Sequence, residues 1–229
     1  MRRWLTGRAI SMPSSLARSP MRWATCHMQT ICDTCCATLK GMSVPDRFED
    51  TDQHGWLIFG AGGQVGRALQ SALCGHEFAL FLGRSEADFA QPGSLLPLLE
   101  QIRPTAIINA AAYTAVDKAE SEPELAQRIN ADAPGVLARY AASAGIPLVH
   151  CSTDYVYDGS GDAPRREDAA LGPLNRYGAS KLAGEQAIID SGCDYLIFRT
   201  SWVYDAEGKN FLTAMLRLGR EREQLRVVA

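Results

Sequence analysis

Trp56-Leu57-Ile58-Phe59-Gly60-Ala61-Gly62-Gly63-Gln64-Val65-Gly66-Arg67-Ala68-Leu69-Gln70-Ser71-Ala72-Leu73 is the stretch on which the fold turns. Its opening residues form a short apolar run of strand type. Gly60, Gly63 and Gly66 recur at every third position, and the chain then continues in a helical pattern. Glycine permits a tight turn and lets backbone N–H groups approach a pyrophosphate at a helix N-terminus. A glycine triplet alone marks any tight turn. Between a strand and a helix it predicts the start of a dinucleotide-binding unit, with Gly60, Gly63, Gln64, Val65 and Gly66 against the phosphates.

The same alternation runs to the end of the chain. Further strands are expected over 78–82, 106–109, 147–151 and 194–199. Helices are expected over 95–102, 117–144 (one or two, with Pro123 and Pro134 near their starts), 177–190 and 210–223. Short apolar strands separated by helices imply right-handed crossovers and a parallel sheet. The fold class is therefore α/β, a doubly wound, mostly parallel, Rossmann-like sheet. Ligands in such a sheet sit at the carboxyl ends of the strands. Those ends carry Gly60, then Asn109-Ala110-Ala111-Ala112-Tyr113, then Ser152-Thr153-Asp154, then Thr200-Ser201-Trp202. The alanines also fit close helix–sheet packing, and both readings stay open.

Tyr177 and Lys181 lie four apart in a predicted helix, which sets them on one face a turn apart. An ammonium beside a phenol lowers its pKa, and a tyrosine so tuned can exchange a proton with an alcohol or sugar oxygen. A Y-x-x-x-K pair also recurs on solvated helix faces; the glycine turn upstream favours the catalytic reading. Hydride addition to a ketone needs a proton donor, an orienting hydroxyl and a bound nicotinamide, and each has a candidate here. An acid after the second strand would favour NAD by binding the ribose 2′-hydroxyl. Leu82-Gly83-Arg84-Ser85 has no acid before Glu86, and Arg84 and Ser85 suit a 2′-phosphate. NADPH is expected over NADH, with NADH as the other option.

With 229 residues, 46% of them hydrophobic, and a net charge of −3, the chain has ordinary globular composition and length for a full core. The weak negative charge and the lack of a basic stripe argue against a nucleic-acid partner. No apolar run approaches the roughly 20 residues that span a bilayer, so no membrane partner is expected. Residues 1–52 read as a separate N-terminal arm, disordered or targeting, ahead of a cofactor domain over 53–229. Before Pro45 the arm carries Arg2, Arg3, Arg8, Arg18, Arg22 and Lys40 against the single acid Asp33. Cys26, His27, Cys32, Cys35 and Cys36 are spaced too irregularly for a metal site, and no metal is expected. Cys74, Cys151 and Cys193 read as reduced core thiols of a cytoplasmic protein.

Taken in order, several blocks resemble the dTDP-4-dehydrorhamnose reductase family of the extended short-chain dehydrogenase/reductases. They are Gly63-Gln64-Val65-Gly66, Asn109 to Glu120, Ser152-Thr153-Asp154-Tyr155-Val156, Tyr177 to Glu185, and Arg199-Thr200-Ser201-Trp202-Val203-Tyr204. The resemblance implies reduction of a nucleotide-linked 4-keto sugar by NADPH. Tyr177 would protonate the C4 oxygen, Lys181 would tune Tyr177 and hold the nicotinamide ribose, and Thr153 would orient the keto oxygen. Asp154 and Trp202 would contact the nucleotide-sugar. Asp88 and Phe89 would flank the adenine, and Ala112, Tyr113 and Thr114 would line the cofactor groove. Relatives continue beyond Ala229, so the resemblance implies a truncated substrate lobe here and a homodimer in the full-length form. Other functions share the fold. The methionine adenosyltransferase beta subunit is a non-catalytic relative. Epimerases and 4,6-dehydratases are others, and the dehydratases place Glu where this chain has Tyr155.

Overall fold

The computed structural model describes residues 23–26, 55–74, 78–161, 163–205, 208 and 210–222. Its centre is a six-stranded sheet, parallel at every pairing. The strands are β1 (Trp23–Cys26), β2 (Trp56–Phe59), β3 (Ala79–Leu82), β4 (Ala106–Asn109), β5 (Leu148–Thr153) and β6 (Tyr195–Thr200), in the order β1-β6-β5-β4-β2-β3. Between them come α1 (Gln64–Ala72), α2 (Leu95–Ile102), α3 (Pro123–Gln127), α4 (Ala133–Ala144), α5 (Arg176–Asp190) and α6 (Phe211–Glu221).

The apolar runs are continuous because both sheet faces are covered. Successive side chains of one strand enter opposite cores. Leu57, Phe59, Ile107, Leu148 and Ile197 join Leu95, Leu99, Leu137 and Ile188 from α2, α4 and α5. Ile58, Ile108, Val149 and Phe198 join Leu69 and Leu73 on the other face. The stretch expected as one or two helices over 117–144 is more broken. It runs through a 3-10 turn at Asp117–Glu120, α3, a π turn at Arg128–Asp132 and α4. Pro123 and Pro134 sit in the first turns of α3 and α4, where a missing N–H costs nothing.

Trp23–Cys26, inside the stretch read as an arm, pairs with β6 at the sheet edge. A four-residue strand shows too little alternation to stand out, and the open edge of β6 offers unpaired backbone groups to it. The rest of residues 1–52, with the cysteines weighed as metal ligands, lies outside the described residues apart from the Cys26 backbone.

β5 runs past β4. Asn109 ends β4 level with His150, and β5 then continues through Cys151 and Ser152 to Thr153, level with Thr200. At about 3.3 Å per residue this lifts Thr153 about 10 Å above the end of β4. One buried ion pair fixes α5 against this extension. Arg199 Nη2 donates to Glu185 Oε2 at 2.8 Å, and Nε donates to Oε1 at 3.1 Å. Ser152 Oγ donates to Glu185 Oε1, and Arg199 Nη1 reaches the Tyr157 hydroxyl at 2.8 Å. The two charged side chains are 0% and 3% exposed. Breaking a buried pair costs more than replacing it whole. Arg199→Met should therefore lower unfolding stability by about 3–5 kcal/mol in urea titrations, and Glu185→Leu in the same chain should restore most of it. A loss in the single variant below ~1 kcal/mol would contradict this.

Candidate active site

The carboxyl edge of the sheet opens into a cleft of about 1430 Å³. Pockets for drug-sized ligands run to roughly 300–1,000 Å³, so this one can take a dinucleotide with a second molecule beside it. β3 and β4 lie on opposite sides of β2. The cleft is thus at the switch point where parallel sheets bind ligands.

Gly60, Gly63, Gln64 and Val65 line one part of the cleft. Gly60 has φ +89°, and a Cβ there would lie 2.6 Å from the Ala110 carbonyl carbon. Only glycine lets the turn pass so close to the next strand end. Gly63, the residue before α1, caps it with no side chain, which leaves the first N–H groups of α1 without a side-chain partner. Gln64 Oε1 is buried with no hydrogen-bond partner among the described residues. An open helix start and an orphaned amide oxygen are features that a phosphate- and ribose-bearing ligand would satisfy. Gly66 does not reach the cleft, contrary to the sequence reading. It is buried under the turn, and a Cβ there would collide with the Gly60 carbonyl oxygen, so its part is packing.

Arg84, Asp88 and Phe89 line the cleft beyond β3. Glu86 folds back, its carboxylate accepting from Gly83 N–H at 2.9 Å and from Ser85 Oγ at 2.8 Å. The Ser85 hydroxyl and then the backbone hold its pKa below the usual carboxylate value. Arg84 is well exposed, with Nε 3.7 Å from Asp88 Oδ1. Arg84 remains at the cleft, whereas the Ser85 hydroxyl expected beside it is engaged by an acid that sequence reasoning passed over. Phe89 is buried edge-on against Phe59 at 5.3 Å, a core contact as much as a cleft wall.

Ala112, Tyr113 and Thr114 also line the cleft. Their loop is held by Asn130, whose Oδ1 accepts from Tyr113 N–H at 2.8 Å while its Nδ2 donates to Ser180 Oγ at 3.0 Å. Tyr113 OH donates to Glu122 at 2.6 Å, and that bond pushes the phenol up to about 12.

Thr153, Tyr177 and Lys181 meet at the same cleft. Asn175 starts α5 by accepting from Gly178 N–H at 2.7 Å. One turn apart, Tyr177, Lys181 and Glu185 then face the extension of β5, all at most 9% exposed. Burial raises the Tyr177 pKa, while a hydrogen bond from Thr153 pulls the other way. Lys181 follows one turn on in α5. Its Nζ is turned inward, 2.6 Å from the Cys151 carbonyl and 3.2 Å from His150 Nε2. Asp154 accepts from Ser201 Oγ at 2.6 Å. Trp202 follows at φ +53°, 74% exposed and edge-on to Phe211 at 5.2 Å. A large side chain in the left-handed region costs about 1–3 kcal/mol and tends to mark a ligand site.

Sequence reasoning also missed the roles of His150, Glu185 and Arg199. A histidine inside the apolar run Pro147 to Cys151, and an acid one turn after Lys181, were the available signals. Among the described residues, no group of three or more His, Cys, Asp or Glu is placed to hold a metal ion. No described helix is long and apolar enough to cross a membrane.

Burial pushes Lys181 down to about 8 from an unfolded value of 10.5. Between those values the unfolded chain holds a proton that the folded chain has released, so stability rises with pH. The wild type should gain up to about 3 kcal/mol over Lys181→Met as pH climbs from 8 to 10.5, read by denaturant unfolding. Parallel pH profiles would contradict this.

The family model described as RmlD substrate binding domain matches residues 55–229. The dTDP-4-dehydrorhamnose reductase of Salmonella typhimurium is 50% identical over 176 residues, covering 75% of this chain and 59% of the relative. The reductase of that name from Burkholderia thailandensis is 48% identical over 173 residues, covering 76% and 58%. Among solved structures, the dTDP-4-dehydrorhamnose reductase of Clostridium acetobutylicum superposes with TM-score 0.73 at 38% identity, covering 76% of this chain and 62% of that one. The Bacillus anthracis reductase, in complex with NADP, gives 0.71 at 40% identity, with the same coverage. The chain thus spans about 59% of the length of the curated relatives it matches.

Proposed function

Because the chain belongs to the RmlD substrate binding domain family, we propose that it is the cofactor-binding part of a reductase converting dTDP-4-dehydro-β-L-rhamnose to dTDP-L-rhamnose with NADPH. The observation that carries this reading is the convergence of Thr153, Tyr177 and Lys181 on a cleft whose other part is the glycine turn. When bound, NADPH would supply the hydride. The open N–H groups of α1 and the Gln64 amide would hold its phosphates and ribose, and Arg84 would meet the 2′-phosphate. The nearby Glu86 carboxylate would oppose that phosphate, so the preference rests on Arg84. Ala112, Tyr113 and Thr114 would form the groove wall. Tyr177, kept protonated by burial, would give its proton to the C4 oxygen while the Thr153 hydroxyl orients that oxygen. Asp154 and the exposed ring of Trp202 would contact the nucleotide-sugar.

The substrate lobe and a homodimer belong to the same reading, supported by the exposed Trp202, Phe211 and Leu216 at the cleft rim and on α6. A cytoplasmic setting is supported by the free thiols of Cys74, Cys151 and Cys193, although Cys74, expected in the core, is exposed after α1.

The test follows NADPH oxidation and NADPH binding in parallel. Tyr177→Phe should cut turnover of the keto-sugar at least about 100-fold and leave NADPH affinity nearly intact. Undiminished turnover would remove Tyr177 from the mechanism. Arg84→Ala should weaken NADPH about tenfold, one charge-assisted hydrogen bond, and hardly alter NADH. Equal loss for both cofactors would take Arg84 away from the 2′-phosphate.

A further inference from the structure

Arg67, in the first turn of α1, reaches in two directions. Its Nη1 donates to the Gly62 carbonyl of the glycine turn at 2.8 Å. Its Nη2 donates to Asp205 Oδ2, 138 positions along the chain, at 3.3 Å. Asp205 belongs to the loop that follows β6, and β4 and β5 stand between β6 and β2 in the sheet. The guanidinium therefore joins two strand ends that no pairing joins. The loop backbone also closes on it, since a Cβ at Gly208 would lie 2.9 Å from Nη2. Beyond Asp205 the contacts continue. Its backbone carbonyl accepts from Asn210 Nδ2 at 2.8 Å, and Asn210 Oδ1 caps α6 by accepting from Thr213 N–H at 3.0 Å. α6 opens with Phe211, whose ring meets Trp202 edge-on at 5.2 Å. Gly62, Arg67, Phe211 and Trp202 all line the cleft. A series of contacts thus runs from the glycine turn to the exposed ring on the other side of the cleft.

We propose that Arg67 is a positioning residue that latches the loop carrying Trp202 to the glycine turn, so that a dinucleotide seated on the turn steadies the far wall of the cleft. This deepens the reductase reading and rests on it. Gly62 and Gly63 share a peptide plane. Its carbonyl takes the Arg67 Nη1, and its N–H goes to the Gly60 carbonyl at 2.9 Å. A pyrophosphate against the turn fixes that plane and the guanidinium resting on it. Asp205 then meets a donor already held, and ordering the loop costs less. Such coupling is reciprocal: a ligand that orders the Trp202 loop tightens the hold on the dinucleotide by the same factor. The two side chains are 38% and 29% exposed, so the pair adds little to global stability and acts through where it puts the loop. Arginine suits the task better than lysine. A planar fork takes a carbonyl and a carboxylate at once in fixed geometry, whereas an ammonium on a flexible stem does not.

Backbone relaxation NMR on the intact chain, with and without NADP⁺, tests the latch through the order parameters of Trp202 to Asp205. Without ligand, the wild type should be more ordered there than Asp205→Asn. With NADP⁺ the wild type should rise to about 0.8, near the rigid limit, while Asp205→Asn and Arg67→Lys stay below about 0.6. Asp205→Asn should still bind NADP⁺ within about twofold of the wild type, because its glycine turn is intact. Asp205→Glu, which keeps the carboxylate, should regain the NADP⁺ response. A loop that is merely loosened by the substitution would still stiffen when NADP⁺ binds. So would one that NADP⁺ touches directly. Equal stiffening in Asp205→Asn and the wild type, or no recovery in Asp205→Glu, would therefore overturn the proposal. A chain that takes no NADP⁺ loses the reductase reading instead. The ligand-free comparison of the wild type, Asp205→Asn and Asp205→Glu then decides the latch: equal order in all three overturns it, and loss in the Asn variant alone supports it.

Discussion

The Glu185–Arg199 pair is the constraint on which the site depends. Helix α5 could slide or rotate on a purely apolar face at modest cost, because dispersion and area burial have no direction. A guanidinium clamped on a carboxylate through two buried contacts does have direction. It sets which turn of α5 lies against Ser152 and Tyr157, and hence where Tyr177 and Lys181 fall two turns and one turn earlier. The pair's worth lies in register rather than in net stability, since buried pairs are costly to desolvate.

The sheet supplies the other half of the geometry. β4 stops at Asn109 while β5 continues to Thr153, so the cleft has a low wall near the glycine turn and a high wall carrying a hydroxyl. The low wall leaves room above Gly60 and Ala110, and the high wall meets the start of α5. A long ligand laid along the switch point would touch both walls. The two halves are thus held by different forces: close backbone contact at Gly60 and Gly66, and buried polar contacts at Lys181 and Glu185.

Much of this was legible in the residues. Continuous apolar runs such as Ala106 to Ile108 reveal doubly covered parallel strands, and Gly60 and Gly63 reveal the turn. The four-residue spacing of Tyr177 and Lys181 placed them on one face correctly. What Lys181 touches was not legible, because that depends on how far β5 extends and on which carbonyl lies opposite. Gly66 misled because a packing glycine and a phosphate-contacting glycine look the same in a motif. Glu86 was passed over because a residue three places beyond Gly83 reaches back only when the chain turns there. Trp23–Cys26 escaped notice because an edge strand of that length carries almost no pattern.

The central claim is that the glycine turn and the Thr153–Tyr177–Lys181 cluster serve one bound dinucleotide. A crystal structure of this chain with NADP⁺ tests it most directly. The account predicts the pyrophosphate on the first turn of α1 and the nicotinamide ring beside Tyr177, its reactive carbon open to a substrate carbonyl about 3–3.5 Å away. A nicotinamide lodged away from Thr153 and Tyr177, or a pyrophosphate off the glycine turn, would contradict it.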